Sequence, residues 1–191
     1  MNYNTYYTVP YDDEQHLNLL FDFYGQKDQA EKLVHGYFPN LTVFRSYLEL
    51  KFREGTWSDF KVLMKSDMAL DMAIGFGFLH DLRPTSCSLS IALFEKYQGS
   101  GAGVVLGWKM LEHIFSKYER FNRVFAWVFE SNTQSLKLHQ HAANRGWVEY
   151  HGRLPDQYML SGVSYGTHIF SITREKFDMI LSKVENRPTT Y

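Results

Sequence analysis

The sequence predicts a single α+β domain spanning residues 1–191, and three observations predict it. Short apolar runs of strand length recur along the chain, at Trp57–Lys65, Leu70–Leu79, Ser88–Phe94 and Arg123–Phe129. Helix-spaced apolar residues accompany them, most clearly Val104, Trp108, Leu111 and Phe115. The 191 residues fit the usual span of about 100–200 for one domain, with no internal repeat, low-complexity segment or linker.

Each element has a local reason. Tyr6–Val9 reads as a first strand, ended by Pro10 and the turn-forming Asp12-Asp13. Leu17, Leu20, Phe21 and Tyr24 keep helical spacing up to Gly25, a C-terminal stop. A short helix is expected over Lys27–Gly36, broken at Pro39. Another is expected over Thr42–Arg53, with Val43, Tyr47, Leu48 and Phe52 on one face. The strands Trp57–Lys65 and Leu70–Leu79 are joined by the polar turn Lys65-Ser66-Asp67, and His80–Thr85 is a loop. After the strand Arg123–Phe129, Asn132 is suited to cap a helix running from Thr133 to about Arg145. Further strands are expected at Trp147–Tyr150, Tyr158–Ser161 and Thr167–Ile172, with a loop through Pro155. Thr173 opens a closing helix, and Asn186–Tyr191 reads as a frayed tail.

Composition narrows the function classes. Hydrophobic residues make up 45% and aromatic residues 17%, enough for a packed core. Formal net charge is −1, from 20 basic and 21 acidic residues that are interspersed, so no basic stripe or polybasic segment points to nucleic acid or a membrane. Cys87 is the sole cysteine, which excludes an intramolecular disulfide and a cysteine metal cluster. The eight histidines are scattered, and no metal is expected. The N-terminal residues lack a charged region followed by an apolar one, and no run reaches membrane-spanning length, so the expected location is cytoplasmic.

The stretch that carries chemistry lies between Ser88 and Ser116. Gly99, Gly101 and Gly103 separate an apolar strand from an amphipathic helix. Glycine lets the chain turn sharply and brings bare amides close to a ligand. Such amides at a helix N-terminus, with the dipole behind them, suit a phosphate. The pattern is not a nucleotide P-loop, because no glycine here begins G-x-x-x-x-G-K-[ST]. A dinucleotide fingerprint fails as well, because Val104 stands where a small residue is needed.

Gln98-x-x-Gly101-x-Gly103 resembles the Q/R-x-x-G-x-G/A signature of the GNAT acetyltransferase superfamily. A second motif, E-S-N-T-Q-S-L-K-L from Glu130 to Leu138 followed by Gly146-Trp147, resembles the E-x-N-x-x-S-x-x-L…G-F run of the branch that includes ribosomal-protein N-terminal acetyltransferases. H-I-F-S-I-T-R-E-K-F-D, from His168 to Asp178, resembles the tail of that branch, so the resemblance covers roughly residues 73–178. It departs in two places. The helix before Gly146 carries about one extra turn, and Tyr165–Thr167 lacks the acid found in many relatives.

The resemblance implies a GNAT fold: a mixed, mostly antiparallel twisted sheet of six to seven strands with helices on both faces. It implies acetyl-coenzyme A as cosubstrate, held by Gln98, Gly99, Ser100, Gly101, Ala102 and Gly103 at the pyrophosphate. Ala92, Leu93 and Phe94 would pair with the pantetheine arm through a splayed or bulged strand, and Asn132 would contact the same arm. The expected reaction is N-acetylation of a primary amine by direct attack in a ternary complex. The acceptor is a small molecule such as an amino sugar, an antibiotic or an amino-acid-like amine, or else a protein N-terminus. A coenzyme-binding regulatory module without turnover is the competing class, and either a monomer or a homodimer is expected.

Thiol protonation in relatives often falls to a tyrosine on the helix after the asparagine cap. Seven residues beyond Asn132 stands His139, with Ser135 one turn before it on the same face. Histidine can donate near neutral pH, so both are candidate catalytic residues. His80, Asp81, Glu130 and His168 are candidates for the base.

Overall fold

The computed structural model describes residues 5–25, 38–66, 71–160 and 162–185. Among them are seven strands and five helices, and the expected α+β GNAT architecture is present. In chain order these are β1 (Tyr6–Pro10), α1 (Asp13–Gly25), α2 (Leu41–Arg53), β2 (Trp57–Lys65), β3 (Met72–His80) and β4 (Ser86–Leu93). A 3-10 turn at Glu95–Tyr97 precedes α3 (Ala102–Lys117), β5 (Arg123–Phe129), α4 (Thr133–Asn144), β6 (Glu149–Leu160), β7 (Val163–Thr173) and α5 (Arg174–Glu185). The helix expected over Lys27–Gly36 and the tail from Asn186 lie outside the described residues, as does Asp67 of the polar turn. Among the described residues no helix is long and apolar enough to cross a membrane.

By contacts the chain forms two compact units: Met1–Leu82 with Ser88–His113, and Arg83–Cys87 with Ile114–Tyr191. In the first, β1, β2, β3 and β4 pair in that order, all antiparallel. Helices cover both faces. Leu17, Leu20, Phe23 and Tyr24 of α1 and Phe44 and Leu48 of α2 pack on Trp57, Phe60, Val62, Phe76 and Phe78. On the opposite face Val105, Leu106 and Met110 of α3 pack on Leu63 and Ile74. Side chains of this size contribute about 1.5–3 kcal/mol each when fully buried.

Two β-bulges decide which strand residues face which helix. The register slips between Ser58 and Lys61, and again between Leu63 and Met64. The extra residue lets Trp57 share a face with Phe60 and Val62, although strict alternation would put it on the other side. Ile74 likewise joins the α3 face while Phe76, two residues on, faces α1. The bulge expected in β4 is absent on its β3 side, where pairing runs unbroken from Gly75–Leu93 to His80–Ser88. Gly75 sets how closely these strands lie, since a Cβ there would stand 2.1 Å from the Ala92 carbonyl oxygen.

Helix faces needed small corrections. In α2, Val43 is 45% exposed and the buried residues are Phe44 and Leu48. In α3, Val104 is exposed, Phe115 is buried as expected, and the core also takes Ala102, Val105, Leu106, Met110 and Ile114. A face drawn from spacing alone is off by one residue here, because apolar residues also occupy the neighbouring positions.

In the second unit the strand order is β5-β7-β6, antiparallel throughout. The loop expected through Pro155 is instead part of one long strand. β6 ends the strand order, so its outer edge asks no amide hydrogen of Pro155. The register shift between Leu154 and Tyr158, with Asp156 at φ 52, absorbs the residual mismatch. Arg174, at the start of α5, donates to the carbonyls of Phe115, Tyr118 and Phe121 and so satisfies acceptors at and just beyond the end of α3. Thr173 Oγ1 accepts the Lys176 amide at 3.2 Å, the expected helix opening.

Candidate active site

The glycine loop of the first unit is built as its sequence requires. Gly99 and Gly101 hold φ of 72° and 82°, left-handed values that L side chains rarely adopt. Ser100 donates its hydroxyl to the Tyr97 carbonyl at 2.6 Å and accepts the Ala102 amide at 3.3 Å, pinning the turn from within. The Gly101 carbonyl accepts the Val104 amide at 3.1 Å and so starts α3. Among the described residues, none accepts from the amides of Gly99, Gly101 or Gly103. Ala102 is buried, which anchors the helix start in the core. The result is a short arc of uncommitted N–H groups at the positive end of a 16-residue helix.

The strand leading into this loop is braced at its end. Gln98 Nε2 donates to the Leu93 carbonyl at 3.1 Å, and the Phe94 amide donates to the Ile74 carbonyl at 2.9 Å. Ala92 and Phe94 pack against the apolar face that contains α1. Beside them a groove of about 560 Å³ is lined by Leu19, Asp22, Phe23, Phe94, Glu95 and Lys96. Its polar lining is two carboxylates, Asp22 and Glu95, and the Lys96 ammonium, on a wall otherwise formed by Leu19, Phe23 and Phe94.

In the second unit, Asn132 caps α4 as expected, its Oδ1 accepting the Ser135 amide at 3.1 Å. Ser135 and His139 meet on one helix face. His139 Nδ1 lies 2.8 Å from the Ser135 carbonyl and 3.3 Å from its hydroxyl. A carbonyl only accepts, so Nδ1 carries the hydrogen and the neutral ring offers a lone pair at Nε2. Burial against Phe170 pushes the imidazole pKa below its ordinary value, and the Ser135 carbonyl opposes this only in part.

The backbone of Tyr165–Thr167 is met by an acid from another element. Glu130, just past β5, accepts the Gly166 amide at 2.6 Å and a two-pronged bond from Arg153. These donors lower its carboxyl pKa to about 2. His168 Nε2 lies 3.5 Å from the same carboxylate, and its Nδ1 is 2.9 Å from the Tyr150 hydroxyl. Glu130 is therefore a fixed anion committed to donors on β6 and β7. Held in its charged form by these partners, Glu130 is a weak base for an ammonium proton.

In the first unit, sequence reasoning named His80 and Asp81 as candidate bases but missed Ser90, which joins them. His80 lies 2.9 Å from Asp81 through Nδ1 and 2.9 Å from the Ser90 hydroxyl through Nε2. No sequence signal joins Ser90 to His80, because only the β3–β4 register brings them together.

Comparison with known proteins agrees with this architecture. The chain is similar in structure to a spermidine N-acetyltransferase from Vibrio cholerae solved with CoA and spermine, at 12% identity and TM-score 0.78, over 91% of this chain and 98% of that one. It is also similar to a probable acetyltransferase (GNAT family) from Chromobacterium violaceum, at 18% identity and TM-score 0.72, over 91% and 85%. No curated protein sequence matches it. The acetyltransferase (GNAT) family model matches residues 28–143, more than half of the chain. The chain is an acetyltransferase that belongs to the GNAT family.

Proposed function

We propose that this protein transfers the acetyl group of acetyl-coenzyme A to a primary amine of a small molecule, by direct attack of the amine in a ternary complex. The observation that carries the reading is the arc of unbonded amides at Gly99, Gly101 and Gly103, at the N-terminus of α3. Neutral donors at a helix N-terminus, with no cation among them, suit the pyrophosphate of the coenzyme. Ala92, Leu93 and Phe94 are proposed to pair with the pantetheine arm, as an added strand would. Asn132 is proposed to contact the same arm, and His139 with Ser135 to serve the leaving thiol, the imidazole acting as the acid only after Nε2 has taken up a proton. The Glu130–Leu138 motif supports a place in the ribosomal-protein-like branch, and one catalytic domain acting in the cytoplasm is part of the same proposal.

The small-molecule acceptor is favoured over a protein N-terminus by the groove beside Phe94. Asp22 and Glu95, with Lys96 beside them, leave a net negative charge for an ammonium group in a space sized for a small ligand. Spermine, in the Vibrio cholerae structure, is an amine of this chemical class. The test is calorimetric titration of the purified chain with acetyl-coenzyme A, followed by thiol release across a panel of amines. Binding in the micromolar range and thiol release with amines are expected. Absence of binding overturns the reading, and binding without release to any amine leaves only a coenzyme-binding module. Gly101→Trp should lower coenzyme affinity at least tenfold.

A further inference from the structure

One polar chain in the first unit, running from Asp81 through His80 to Ser90, is aligned for proton transfer. His80, at the end of β3, accepts and donates in a single direction. The Asp81 carboxylate can only accept, so Nδ1 carries the hydrogen across the 2.9 Å contact. In the neutral ring Nε2 then holds a lone pair, and the Ser90 hydroxyl donates to it at 2.9 Å. Burial lowers the imidazole pKa, with the Asp81 charge opposing, so the ring is neutral at pH 7. Asp81 takes a left-handed φ of 48°, a conformation costing a non-glycine residue on the order of 1 kcal/mol. That backbone turn places the carboxylate beside the ring of the preceding residue.

The surroundings are defined. Opposite His80 stand Trp57 on β2 and Ser88 on β4, and the Phe78 ring lies 5.8 Å away. Among the described residues, Asp81 is the charged group bonded to the imidazole. Ser90 lies opposite Phe78, as Ala92 lies opposite Phe76, so Ser90 and Ala92 share a face of β4. With the pyrophosphate at Gly99–Gly103 and the arm running back along Phe94 and Ala92, the thioester end points toward Ser90. This placement rests on the coenzyme reading above.

We propose that Ser90, His80 and Asp81 form the proton relay that activates the acceptor amine. A primary alkyl ammonium, with a pKa near 10.4, arrives charged and cannot attack. Its proton passes to the Ser90 oxygen as the Ser90 proton passes to His80 Nε2, and Asp81 holds the resulting imidazolium. The neutral nitrogen then forms the C–N bond with the thioester carbonyl, the C–S bond breaks, and the thiolate leaves with the electron pair and takes up the second proton, which the nitrogen releases as the amide forms. His80 returns its proton to solvent, to which its side chain is 21% exposed.

The experiment compares the intact chain with His80→Gln, Ser90→Ala and Asp81→Asn, using 1,4-diaminobutane and an aniline as acceptors. His80→Gln should lower kcat for the diamine about 10²–10³-fold, while acetyl-coenzyme A affinity stays within about twofold. The aniline, which arrives neutral, should lose at least tenfold less. Asp81→Asn should move the acid limb of the pH profile downward, because it removes the charge that raises the His80 pKa. In the wild type, imidazole NMR should show a neutral ring with hydrogen on Nδ1 at pH 7. Equal losses for both amines, an unchanged kcat or an unmoved acid limb overturn the relay. So does an acetyl group found on Ser90 by mass spectrometry, which would make Ser90 a nucleophile. Failure of the wild type to bind acetyl-coenzyme A would instead overturn the coenzyme reading, and is read separately.

Discussion

His113 Nε2 lies 2.6 Å from Asp59 Oδ2, tying a turn near the end of α3 to the first bulge of β2. Asp59 is 4% exposed, holds a left-handed φ of 51° and also meets Lys61 Nζ at 3.3 Å. The bulge turns this carboxylate inward, and the Lys61 ammonium and the His113 ring nitrogen are what make its burial tolerable. Asp59→Ala should therefore destabilise the protein by about 2–3 kcal/mol, and His113→Ala by about 1 kcal/mol. Urea unfolding of the two variants and their double mutant measures both losses and their coupling. Additive losses with no coupling would show that the contact contributes nothing.

Glu130 and Gly166 make a pH-dependent contact. The bonds from Arg153 and the Gly166 amide lower the Glu130 pKa from an ordinary 4.5 to about 2. A lowered folded-state pKa means that the added stability is present above the unfolded pKa. It is lost as pH falls through the folded one. Wild type should therefore have the higher Tm than Glu130→Gln at pH 6, and the gap should close between about pH 4.5 and pH 2. A gap of constant size across that window would assign the loss to packing rather than charge.

Asn132 can be tested for its two roles separately. Its Oδ1 caps α4 through the Ser135 amide, and losing such a cap costs about 1 kcal/mol. Asn132→Ala should show that loss. Asn132→Asp should keep the cap, because aspartate accepts the same amide, and should leave Tm nearly unchanged. If the side-chain amide also donates to the pantetheine arm, Asn132→Asp lowers coenzyme affinity without loss of stability. Equal affinity in the aspartate variant restricts Asn132 to capping.

Gly75 is the test of how closely β3 and β4 must approach. A Cβ there would meet the Ala92 carbonyl oxygen at 2.1 Å and Leu93 Cα at 2.9 Å, both backbone atoms that cannot swing aside. Gly75→Ala should cost at least about 2 kcal/mol. It should weaken coenzyme binding as well, since the displaced residues are the ones proposed to line the arm. Gly146→Ala meets nothing within 4 Å but sits at φ 67°, so it isolates the cost of backbone strain alone. Comparing the two Tm values separates clash from strain.

The legible parts of the fold and site were those decided within a few residues. The left-handed turns at Gly99 and Gly101, the Asn132 cap and the Ser135–His139 pair each depend on neighbours no more than four positions away. Side-chain chemistry and helical period settle such features before any tertiary contact exists. Helix faces were legible only to within one residue. In α3 apolar side chains fill Val104, Val105 and Leu106 alike, and packing chose the last two.

Sequence by itself determined an α+β chain with an anion-ready loop between β4 and α3, because glycine conformation and helix dipoles are local properties. The tertiary structure alone decided which polar groups meet across separate elements. Ser90 reaches His80 through strand register, Asp59 reaches His113 across 54 positions, and Glu130 reaches Gly166 across 36. One inserted residue in a strand turns every later side chain to the opposite face. The bulges at Ser58–Lys61 and Leu63–Met64 therefore settle, as no spacing rule could, which groups of β2 and β3 look toward α1 and α2 and which toward α3.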